Sequence, residues 1–293
     1  MSDSIHISVL ADEAIHWLNP QPGQTIVDGT LGGGGHTRLL AEHVGPKGTV
    51  LAIDQDPLAI ERAEKELAGL PIKVVCGNFA DLPQFLPEAG IEAIDGILLD
   101  LGLSSDQLAD DERGFSFNSS GDLDLRFNPE EGMPAWQLLE RLPEKKIADI
   151  IFHYGEERKS RRIARKIVEV RKKSTLRTAA EIAELVQSCI PTKGRQRIHP
   201  ATRTFQALRI AVNEELRSLE KALKDYPDLL VSDGRLAIIS FHSLEDRLVK
   251  TAFREDDRYQ VLTKKPIQPT EGEIDLNPRS RSARMRVAAR STT

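Results

Sequence analysis

Polar and apolar positions alternate along the first hundred residues in a repeating order: a short apolar run, a turn, then a segment with helical spacing. Thr25 to Asp28, Gly48 to Asp54, Ile72 to Cys76 and Ile94 to Asp100 read as strands, and Gly48 to Asp54 is a continuous apolar run ending in a carboxylate, as a strand buried on both faces should look. Between them, Leu39, Leu40 and Val44 give one inner helix face, and Ile60, Ala63 and Leu67 give another. Asp56 stands where it can cap the second helix, with Pro57 at its first position. Four strands joined by helical crossovers predict a parallel sheet whose ligand crevice lies at the strand C-termini.

After Asp100 the alternation stops. Gly114 to Asn128 has the Gly, Asn, Asp and Phe mixture of an ordered irregular loop. Helices are expected around 134–153, 156–172 and 178–189, and a long one from Thr202 carries Phe205, Leu208, Val212, Leu216, Leu219 and Leu223 at spacings of three and four. Gly234 to His242 then reads as a fifth buried strand leading into a helix from about Ser243 to Phe253. Tyr259 to Lys264 and Met285 to Ala289 form an expected closing antiparallel pair. The expected organisation is one α/β domain from 1–105 and 206–293, with a helical insertion at 106–205.

Composition sets the class. The chain has 293 residues, 40% of them apolar, and a mean hydropathy of -0.34. No apolar run approaches membrane-spanning length, the first residues have no signal-peptide pattern, and Cys76 and Cys189 are isolated. A cytoplasmic protein with no disulfide framework, no membrane partner and no metal site is expected. The net charge of -5 conceals segregation: residues 158–209 carry 15 Lys and Arg against Glu169, Glu181 and Glu184, whereas residues 1–105 carry 5 against 15 acids. A final run, Arg279, Arg281, Arg284, Arg286 and Arg290, contains no acid. Such segregation is a polyanion-binding signature.

The candidate chemistry centres on Thr25-Ile-Val-Asp-Gly-Thr-Leu-Gly-Gly-Gly-Gly-His36, where a strand meets glycines that let a ligand approach the backbone. The dinucleotide fingerprint fails at Leu31 and Thr37, and Gly35 and His36 stand where a phosphate loop needs Lys and Ser or Thr. An acid before a glycine turn without a phosphate-gripping lysine suits a cationic nucleoside ligand such as S-adenosylmethionine. Sheet geometry gathers Asp28, Asp54, Phe79 and Asp100 on one edge. Asp54 follows Asp28 at nearly the separation at which an acid reaches ribose hydroxyls. Phe79 is placed for adenine and Asp100 for the methionine end or the incoming substrate.

Along nearly its whole length the chain resembles the bacterial small-subunit (16S) ribosomal RNA cytosine-N4-methyltransferase family. The matching stretches are His6 to Leu10, Asp28 to His36, Asp95 to Ser105, Glu112 to Phe117, Tyr154 to Arg158, His199 to Gln206 and Ser240 to Arg247. The resemblance implies a class I S-adenosylmethionine-dependent fold with an inserted substrate-recognition domain, and methylation of one cytidine at the decoding centre. It implies cofactor contacts at Gly34, Gly35, His36, Asp54, Phe79, Asp100 and Gln107. The implied partner is small-subunit ribosomal RNA within an assembled or nearly assembled subunit.

For the reaction itself, Asp100 is the candidate acceptor for the substrate amine. His242, at the end of the fifth strand, is a candidate positioning or proton-accepting group, although a histidine there also caps the following helix. Arg161, Arg162, Arg165 and Lys166 on one helix, with Arg195 and Arg197 in a basic loop, are the candidate RNA contacts. A pure RNA-binding assembly factor would explain the basic insertion but needs no glycine turn with strand-end acids. An NAD-dependent oxidoreductase would share the sheet but not the failed fingerprint, and amine methylation on DNA also fits the base chemistry.

Overall fold

Residues one apart on each strand point to opposite faces of a sheet, and both faces here are apolar. Val27, Leu51, Ile53, Ile97, Leu99, Leu236 and Ile238 pack on one side with Leu82, Tyr226 and Phe253. Ile26, Val50, Leu98, Ala237 and Ile239 pack on the other with Leu10, Leu18, Leu40 and Val44. The computed structural model describes residues 8–190 and 199–292, so Arg195, Arg197 and the start of the His6 to Leu10 stretch lie outside the described residues.

The strands are β1 (Thr25–Asp28), β2 (Thr49–Asp54), β3 (Ile72–Cys76), β4 (Ile94–Asp100), β5 (Leu230–Ser240), β6 (Tyr259–Val261) and β7 (Arg284–Arg290). They form one seven-stranded sheet in the order β3-β2-β1-β4-β5-β7-β6. The pairs among β1 to β5 are parallel, and β7 runs antiparallel to both β5 and β6. With helices on both faces this is a class I, Rossmann-like architecture, with the expected closing antiparallel pair. Order reverses between β1 and β4, and this switch point is where a doubly wound sheet opens its crevice.

The chain divides into two compact units, Met1–Leu103 with Leu216–Thr293, and Ser104–Glu215. The junction expected at 205/206 falls inside helix Thr202–Val212. The long helix expected from Thr202 is two helices, because the chain turns at Asn213 and Glu214, the latter at φ 49, before helix Glu215–Asp225 begins. The helix expected over 134–153 is also two, Ala135–Arg141 and Glu144–Gly155, with Pro143 between them.

Within the second unit, helix Glu144–Gly155 crosses helix Thr202–Val212 closely enough that a Cβ on Gly155 would meet the Arg203 carbonyl oxygen. The loop from 110 is pinned by buried Arg113, whose Nη2 donates to the carbonyls of Arg126 and Phe127 at 2.9 and 2.8 Å. Phe115 stacks on Phe127, and Phe117 packs between His199 and Phe205. The Glu112 to Phe117 stretch therefore holds this unit together through its aromatic rings.

Candidate cofactor site

The site is built where β1 turns into helix Gly35–Val44. Gly32 and Gly34 adopt φ of 49 and 76, a left-handed conformation that costs little only without a Cβ. Gly34 is the N-cap, and no side chain caps the helix. The first-turn N–H groups, which have no intrahelical partner, make this end suited to an electronegative ligand group. Gly29 serves packing instead, since a Cβ there would collide with Leu99 and press on Phe79.

Two threonines that the sequence reading passed over tie the strand ends together. Asp28 is fully buried. Its Oδ1 accepts from the Thr30 N–H at 3.1 Å and its Oδ2 from the Thr37 hydroxyl at 2.6 Å. Thr30 Oγ1 in turn accepts the Asp100 N–H at 2.6 Å. Burial pushes the Asp28 carboxyl up, against the opposing effects of His36 and its own hydrogen bonds. The signal was available: each threonine lies two or fewer residues from an already suspected Asp or His.

Asp54 ends β2 half-buried. Its Oδ2 accepts from the Gly32 N–H at 2.8 Å and its Oδ1 from the Asp56 N–H at 2.9 Å. Desolvation pushes its carboxyl up to about 6, with those two bonds opposing. Each oxygen has a second lone pair, so the group can hold the turn and still accept from a pair of hydroxyls. Asp56 caps helix Pro57–Glu66 as expected, accepting from the Leu58 N–H at 3.1 Å.

Asp100 ends β4, and its Oδ1 is buried without a hydrogen-bond partner among the described residues. Its Oδ2 lies 3.5 Å from Nε2 of His36, which is 5% exposed. A buried acceptor oxygen without a donor at a strand C-terminus suits a cationic or N–H-bearing ligand. Phe79 opens a short helical turn after β3 and belongs to the core; its carbonyl accepts from the Tyr226 hydroxyl at 2.9 Å. Gly34, Gly35, His36, Asp54, Phe79 and Asp100 thus all follow strand ends of the first unit. Gln107 belongs to the second unit, in helix Ser105–Ala109, where its side chain accepts from the Ser104 N–H in a capping box.

His242 takes the capping role. Its Nδ1 accepts from the Glu245 N–H at 3.3 Å at the start of helix Ser243–Glu255, and Glu245 Oε2 reaches back to the N–H groups of Phe241 and His242. An imidazole whose Nδ1 accepts a backbone N–H carries its proton on Nε2 when neutral, which leaves no lone pair to take another.

In the second unit, Arg161, Arg162, Arg165 and Lys166 are exposed on helix Ser160–Arg171, whose Ile163 and Ile167 are buried. Arg162, Arg165 and Lys166, with Glu169, Ser188 and Cys189, line a groove of about 410 Å³. Among the described residues, Arg165 and Lys166 make long pairs, 3.8 Å to Glu144 and 3.9 Å to Glu169. The C-terminal arginine run is partly structural. Arg286 is buried against Asp246 at 2.6 Å, Arg284 reaches the same carboxylate at 3.4 Å, and Arg290 donates to the Leu230 carbonyl.

A family model described as the MraW methylase family matches residues 3–291. Ribosomal RNA small subunit methyltransferase H of Rhodopirellula baltica is 48% identical over 99% of this chain and 92% of its own length. The protein of that name from Geobacter sp. is 45% identical, covering 98% of this chain and 99% of its own. That from Deinococcus radiodurans is 49% identical, covering 98% and 90%.

Proposed function

The chain belongs to the MraW methylase family, and we propose that it methylates small-subunit ribosomal RNA with S-adenosylmethionine, at the N4 amine of one cytidine in the decoding centre. The ribosomal substrate rests on the relatives' names, and the N4 position on the family resemblance of the sequence. The observation that carries a methyl-transfer site here is the pairing of Asp54 and Asp100 around an uncapped glycine turn, with Asp100 Oδ1 buried and without a donor.

When bound, S-adenosylmethionine supplies an electrophilic methyl carbon on a sulfonium. Asp54 accepts the ribose hydroxyls, the backbone at Gly34, Gly35 and His36 lines the turn, and Phe79 adds a cofactor contact; a contact from Gln107 rests on the family resemblance of the sequence alone. Asp100 accepts an N–H of the cytidine amine. That amine's lone pair is delocalised into the ring, so alignment and an acceptor oxygen are what the protein must supply. Attack by nitrogen requires no covalent adduct between protein and base. His242 contributes by fixing the start of its helix rather than by moving a proton.

RNA is held by Arg161, Arg162, Arg165 and Lys166, together with Arg195 and Arg197, in the helical insertion. The substrate is the RNA in an assembled or nearly assembled small subunit, in the cytoplasm. No helix among the described residues is long and apolar enough to cross a membrane. The reading is tested by calorimetric titration with S-adenosylmethionine, followed by transfer from labelled cofactor to naked RNA, immature and mature small subunits, and DNA. Binding with label in small-subunit RNA supports it; label in DNA alone overturns it.

A further inference from the structure

One imidazole in the turn-helix junction interacts with two strand-end carboxylates, Asp100 and Asp28. His36 sits in the first turn of helix Gly35–Val44, buried, with Nε2 at 3.5 Å from Asp100 Oδ2. That is beyond the usual N–H···O range, and neither ring nitrogen has a hydrogen-bond partner among the described residues. The two acids differ in how they are held. Both oxygens of Asp28 are engaged, by Thr30 and Thr37. Asp100 is tethered through its backbone N–H to Thr30, while its Oδ1 lacks a partner among the described residues. Among the described residues, His36 is the basic side chain paired with its carboxylate.

We propose that His36 is a positioning residue for Asp100: its buried imidazole, 3.5 Å from Oδ2, fixes the side chain so that Oδ1 is left to accept from the substrate amine. This rests on the role given to Asp100 under Proposed function. The groups facing His36 are Asp100 from β4, Asp28 from β1 and the Val9 backbone from the N-terminal segment. Desolvation acts to lower the imidazole, but Asp100 first, then Asp28 and Val9, outweigh it and hold the ring above the ordinary histidine range. The same pairing acts downwards on Asp28, where burial still prevails.

Two measurements test this. In proton NMR titration of the cofactor-free protein, with the His36 signal assigned by its loss in His36→Gln, the ring should titrate above about 6.5. It should move down in Asp100→Asn. In single-turnover methyl transfer at saturating cofactor, His36→Gln should slow transfer about tenfold or more, and adding it to Asp100→Asn should slow transfer no further, because the two residues act through one carboxylate. A purely structural His36 would slow transfer by the same factor in wild type and in Asp100→Asn. That result, or a ring titrating at or below about 6.5 regardless of Asp100, overturns the proposal. If no methyl transfer occurs at all, the proposed function fails, and the NMR titration still decides whether the pair exists.

Discussion

Asp54 Oδ2 accepts the Gly32 N–H at 2.8 Å, so the acid that ends β2 clamps the turn that follows β1. One carboxylate therefore shapes the turn and, under the proposed function, also accepts from the ligand, so its substitution should weaken binding through both. Hydrogen bonds to a charged acceptor contribute about 1.5–3 kcal/mol, so Asp54→Ala should cost roughly ten- to a hundred-fold in S-adenosylmethionine affinity with the fold retained. Calorimetry on a mutant checked by circular dichroism measures this, and unchanged affinity in a folded mutant removes the ribose role.

The same group sets a pH dependence. Its folded value of about 6 lies above the ordinary 3.8, so the folded chain holds this proton more tightly than the unfolded chain. Its contribution to stability is present below about pH 4 and lost as pH rises through about 6. Ligand hydroxyls need the ionised acceptor, so cofactor affinity should fall as pH drops below about 6, and this fall should be weaker in Asp54→Asn. Titrations at pH 5 and pH 7.5 compare the two.

His242 should behave as a cap. His242→Ala removes the acceptor for the Glu245 N–H and should cost about 0.5–2 kcal/mol of stability. His242→Asn, a good N-cap, should restore stability and leave single-turnover transfer near wild type. An Asn variant that is stable yet slow would return His242 to the substrate.

Neutralising Arg161, Arg162, Arg165 and Lys166 together should weaken RNA binding and spare cofactor affinity. Each lost phosphate contact should reduce the slope of log affinity against log salt by about 0.7–0.9. RNA affinity and slope that stay as in wild type would make this helix a solvated face.

Gly155→Ala should destabilise the second unit by about 1–3 kcal/mol, because the added Cβ meets a backbone oxygen of Arg203 rather than a yielding side chain. Chemical denaturation reads this directly, and a neutral result would mean that the two helices can part without cost.

The sheet was legible because its central strands β1, β2 and β4 are buried on both faces, so each is a nearly continuous apolar run that ends in an acid. Asp28, Asp54 and Asp100 stood out for that reason, and Asp56 with Pro57 marked a helix start unambiguously. Less legible was anything decided by tertiary context. The 3.6-residue pattern from Phe205 to Leu223 is continuous, yet the chain breaks at Asn213 and Glu214, because apolar spacing does not record which unit each half packs into. Arginines read the same in sequence whether exposed, like Arg161, or buried on a carboxylate, like Arg286. Thr30 and Thr37 were passed over because a hydroxyl gives no charge signal, although their hydrogen bonds join β1, β4 and the helix.

The central claim is tested most directly by locating the methyl group. Small subunits should be incubated with this protein and isotopically labelled S-adenosylmethionine, and the digested RNA read by mass spectrometry. The account predicts one labelled cytidine, modified on its exocyclic amine, within the decoding centre, and strong loss of that label with Asp100→Asn. Label on a ring carbon, a ribose or another base, or full labelling by Asp100→Asn, would contradict it.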